Sequence, residues 1–78
     1  MNERLVTSTV VDALGRNGAL YVDDLYKSVH RMHSGMEEGS FEEILMIMEL
    51  HALIMVYTMP RGKRKAELTK INAFSRNF

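Results

Sequence analysis

Near Leu53 the apolar residues change period, and a chain of 78 residues has few ways to accommodate such a change. Upstream, Phe41, Ile44, Leu45, Met48 and Ala52 fall within one arc at about 100° per residue, with His51 at its edge, which is the spacing of a helix with one buried face. Downstream, Ile54-Met55-Val56-Tyr57-Thr58 has the β-branched and aromatic bias of a strand. Met59-Pro60-Arg61-Gly62 then suits a type I turn, with Pro fixing φ at the second position and Gly closing at the fourth. Residues 66–71 can return antiparallel. A helix that runs into a β-hairpin implies an α+β fold.

Positive charge collects at the hairpin tip, in Arg61, Lys63, Arg64 and Lys65. Residues 1–57 hold four Lys/Arg against nine Asp/Glu, and residues 58–78 hold six against one, so the neutral total conceals two opposed parts. That asymmetry bears on a partner, because charge distribution steers association and leaves architecture to the apolar pattern. If the return strand starts at Lys63, then Lys63 and Lys65 face one side of it and Arg64 the other.

The remaining elements follow from periodicity and punctuation. Val6, Val10, Ala13 and Leu14 predict a helix over residues 3–14, ended by Gly15-Arg16-Asn17-Gly18. Residues 19–22 read as a short extended piece. Asp23 is the expected N-cap of a second helix over 24–32, with Leu25, Tyr26, Val29 and Met32 as its apolar stripe, and a loop follows over 34–39. Ser40-Phe41-Glu42-Glu43 matches a capping box and predicts the start of the third helix. Met48 and Met55 are expected in the core, Met46 and Met59 outside it. Tyr21, Tyr26 and Tyr57 are expected to pack on apolar faces with their hydroxyls at the surface.

Chemistry-bearing constellations are few. His30 and His33 are three apart, and with His51, Glu37 or Glu38 they would be conceivable metal ligands. Such a pair is common at helix ends, and no metal or other cofactor is expected. With no cysteine, no Gly-rich phosphate loop and no recognisable nucleophile motif, the chain does not read as an enzyme. The lack of cysteine also suits a cytoplasmic location. The longest apolar run, over 52–57, is too short to span a bilayer, and no membrane partner is expected. One domain over 1–78 is the expected organisation. A chain this small buries a modest fraction of its surface, which favours a homodimer. Phe74 and Phe78, in a tail over 72–78, either dock as a helical turn or fray.

Over residues 3–71 the chain resembles, by topology, a small winged helix-turn-helix domain. The resemblance rests on Asp23-Asp24-Leu25 at the second helix, the Ser40-capped third helix and the Gly-containing basic hairpin. It implies the order α-β-α-α-β-wing-β, with residues 41–53 as the recognition helix. It also implies a transcription-regulator-like protein that contacts double-stranded DNA mainly through a wing carrying Arg61, Lys63, Arg64 and Lys65. The outer arc of the third helix offers an alternative. Glu42, Glu43 and Glu49 repel a polyanion, whereas Met46 and Leu50, flanked by Glu42 and Glu49, suit a protein partner or a second copy of the chain.

Overall fold

A computed structural model describes residues 2–69. Its elements are α1 (Glu3–Asn17), β1 (Leu20–Tyr21), α2 (Val22–Met32), α3 (Glu38–Leu50), β2 (Ile54–Thr58) and β3 (Arg64–Leu68), with a tight turn, Pro60–Gly62, between the last two strands. The class is α+β, in a winged-helix-like arrangement. The predicted continuation of β3 to Ile71 and the tail with Phe74 and Phe78 lie outside the described residues.

Each helix begins or ends away from its expected punctuation, for local reasons. The Asn2 side chain caps α1 by accepting from the Arg4 and Leu5 amides at 3.0 and 3.3 Å. The helix passes through Gly15 and stops at Gly18, whose N–H still donates to the Leu14 carbonyl at 2.8 Å and whose φ of 80° turns the chain out of the helix. Asp23 is not the cap of α2. β1 passes directly into the helix, Tyr21 takes the cap position without a side-chain bond, and Val22 is already buried as the first helical residue. Asp23 and Asp24 lie in the first turn, where the dipole favours carboxylates.

The capping box at Ser40 does not form either. The Phe41 amide already donates to the Glu37 carbonyl at 3.0 Å, so α3 starts at Glu38 and Ser40 lies inside its first turn. At the other end α3 stops at Leu50, three residues earlier than expected. The Leu53 amide donates to the Met48 carbonyl at 2.9 Å and the Ala52 amide to that of Glu49 at 3.0 Å, the two bonds of a Schellman motif. Ala52 occupies the left-handed position, with φ 59°, and so leaves the predicted core arc.

β3 is the central strand, in the order β1-β3-β2. Leu20 and Val56 both pair with Ala66, while Tyr21 and Tyr57 both pair with Lys65. Paired residues share a face, and side chains alternate along a strand. Leu20, Ile54, Val56, Ala66 and Leu68 therefore face the helices and join the core of Val6, Val10, Leu14, Leu25, Val29, Phe41, Leu45 and Met48. Tyr21, Met55, Tyr57, Lys65 and Glu67 form the open face. Met55 is thus 50% exposed, contrary to the core position expected of it, because its neighbour Ile54 takes the inward register. Met32 is also exposed, and Met36 fills the core beneath the α2–α3 connection, its carbonyl accepting from the Tyr26 hydroxyl at 3.1 Å. No helix among the described residues is long and apolar enough to cross a membrane.

Candidate nucleic-acid interface

The hairpin is closed by a different turn from the one its composition suggested. The Gly62 amide donates to the Met59 carbonyl at 3.0 Å, with Arg61 at φ 79° and ψ 9°, the third-position geometry of a type II turn. Gly62 follows with φ 80°, and the Met59 amide returns to the Lys63 carbonyl at 2.6 Å. Positive φ at the third position suits Gly or Asn. An arginine there carries local strain, held by the closed hairpin, and sits exposed at its outermost point.

The four tip cations divide between two environments. Arg64, on the helix-facing side of β3, bonds Glu42 of α3 through Nη2 and Oε2 at 2.5 Å, with both side chains a little under half exposed. This hydrogen bond is the main cause of an Arg64 pKa raised above its ordinary value, and the charges of Glu42, Asp23 and Glu49 add to it. The cleft between α3 and the hairpin is lined by Glu42, Glu43, Leu45, Met46, Glu49 and Arg64. Three carboxylates against one guanidinium make that cleft repel phosphate.

Lys63 and Lys65 point the other way. Their ammonium groups lie 5.6 and 4.9 Å from the centroid of the Tyr21 ring, within cation–π range. The alternation read from the sequence therefore holds, with the strand beginning at Arg64. Tyr21, 37% exposed, and Tyr57 lie on the open sheet face and not on the apolar face expected of them, because their register partners them with Lys65 and not with Ala66. Tyr21 lies 44 positions before Lys65, and only the β1–β3 register brings the two together. Tyr57 lies on the opposite side of Lys65 in the same cross-strand row.

The second group of candidates, Glu42, Met46, Glu49 and Leu50, stays together on the outer side of α3. Met46 is 54% and Leu50 78% exposed, and Ile47, which the predicted outer arc omitted, joins them at 42%. Glu42 belongs to both groups, since it holds Arg64. The histidines do not converge. The His30 ring lies 5.6 Å from Tyr26, and the His33 Nε2 lies 2.9 Å from the Thr9 hydroxyl. The same hydroxyl lies 3.0 Å from the Leu5 carbonyl. No group of three or more His, Asp or Glu among the described residues is gathered closely enough to hold a metal ion. No known protein family, curated protein or solved structure matches this chain.

Proposed function

We propose that the protein is a small cytoplasmic, transcription-regulator-like winged-helix module that contacts double-stranded DNA through its hairpin tip and the adjoining open sheet face. Arg61, Lys63 and Lys65 carry the contact, and Arg64 does not. The sorting of charge across the hairpin supports this reading: Arg64 is engaged by Glu42, whereas Lys63 and Lys65 lie over Tyr21 on the other face and Arg61 is exposed in the turn. α3 therefore does not serve as a groove-reading helix. Three neutralised phosphates correspond to a slope of log K against log salt of about −3 per protomer, doubled in a symmetric dimer. Fluorescence anisotropy of a labelled duplex at low and at physiological salt tests this. Binding that weakens with salt, and weakens further in Arg61→Ala with Lys63→Ala, is expected; no binding at low salt would refute it.

A second reading is favoured by the exposure of Met46, Ile47 and Leu50 along one side of α3, beside Glu42, Glu43 and Glu49. In it the helix is a protein-docking surface, and a second copy of the chain is its simplest occupant. The two readings are compatible if α3 pairs two protomers and the hairpins of both reach DNA.

A further inference from the structure

The open sheet face offers more than charge. Tyr21, Lys65 and Tyr57 form one row across β1, β3 and β2, in register and on the side away from the helices. Adjacent strands lie about 4.8 Å apart, which sets the two tyrosine positions about 10 Å from each other with Lys65 as the residue between them in the row, its ammonium over the Tyr21 ring. That distance is on the scale of one to two nucleotides of extended single strand. Lys63 adds a second cation at the Tyr21 ring, and exposed Arg61 stands at the adjoining tip. Glu67 is the acidic group on this face, beyond Lys65 and opposite Met55.

We infer that this face is a stacking platform for an unpaired DNA strand, in which Tyr21 and Tyr57 take bases and Lys63, Lys65 and Arg61 take the flanking phosphates. The inference rests on the DNA-binding reading above but gives the open sheet face to an unpaired strand in preference to the duplex proposed there. Stacking platforms for single strands combine these two elements, aromatic faces that accept any base and cations that follow the backbone. A duplex satisfies only the second element, because its bases are already stacked on one another. The cations on this face favour a polyanion, and the tyrosine rings beside them favour one whose bases are free to stack.

The chain has three tyrosines and no tryptophan, so its intrinsic fluorescence reports on Tyr21 and Tyr57 above a constant contribution from Tyr26, packed against the core. Titration with oligo-thymidine and with a duplex of the same length should show tyrosine quenching and tighter binding for the single strand. Tyr21→Leu should weaken single-strand binding about tenfold and duplex binding much less, whereas Tyr21→Phe should retain both. Circular dichroism of each variant separates a lost contact from a lost fold, and Tyr57→Leu provides an independent second site. Equal affinity for both forms, or single-strand binding indifferent to Tyr21→Leu and Tyr57→Leu, would overturn the inference while leaving the DNA-binding reading in place. Failure to bind either form at low salt would overturn both. Tighter binding of oligo-uridine than of oligo-thymidine would overturn the assignment to DNA.

Discussion

Ala52 and Arg61 both hold positive φ, at 59° and 79°, but for different reasons. Ala52 closes the Schellman motif of α3 and is exposed, so its side chain contributes little to offset the strain. Ala52→Gly should therefore stabilise the fold by about 0.5–1 kcal/mol, after allowing for the greater backbone entropy of glycine, and raise the melting temperature by a few degrees. Arg61→Gly should give a similar rise in thermal melting, but with weaker DNA binding and a salt slope smaller by about one. A gain in stability accompanied by a loss of binding would identify Arg61 as a residue kept for contact. Gly15 presents the reverse case, an exposed glycine inside α1 where a Cβ would meet only Leu68 Cδ1 at 3.9 Å. Gly15→Ala should add about 0.5–1 kcal/mol in a denaturant titration, since no close approach requires the glycine.

The Arg64–Glu42 pair is the element-level link between α3 and the hairpin. As an exposed pair it contributes about 0–1 kcal/mol to stability, so its main effect is to withdraw one cation from the tip. Glu42→Gln should release Arg64, steepen the salt slope of DNA binding by about one and change the melting temperature little. Arg64→Ala should leave the slope unchanged. The sequence revealed most of the elements and few of their interlocks. The period change at Leu53, the strand Ile54–Thr58 and the buried stripe of α1 were legible because each is a local pattern. The helix starts at Val22 and Glu38 were not, because a buried residue, Val22, and a backbone bond to Glu37 overrode the capping preferences of Asp23 and Ser40. The pairing of Arg64 with Glu42 and of Tyr21 with Lys65 depends on strand register and on the approach of α3, which no short-range spacing encodes.

Among the described residues, α3 presents Glu42, Glu43 and Glu49 beside exposed Met46, Ile47 and Leu50, whereas the open sheet face presents Lys63, Lys65, Tyr21 and Tyr57 together with Glu67 and Met55. If the α3 face joins two protomers, sedimentation of the wild type at high concentration should show a dimer, and Leu50→Glu should convert it to a monomer without loss of helical circular dichroism. A monomeric wild type would remove the second copy as the occupant of that face. Amide chemical-shift mapping of the labelled protein during titration with an oligonucleotide separates the two surfaces. Shifts should concentrate at Tyr21, Tyr57, Arg61, Lys63 and Lys65, with the Glu42–Leu50 side of α3 unmoved; shifts centred on Glu42, Met46 and Glu49 would refute DNA contact through the hairpin and sheet face.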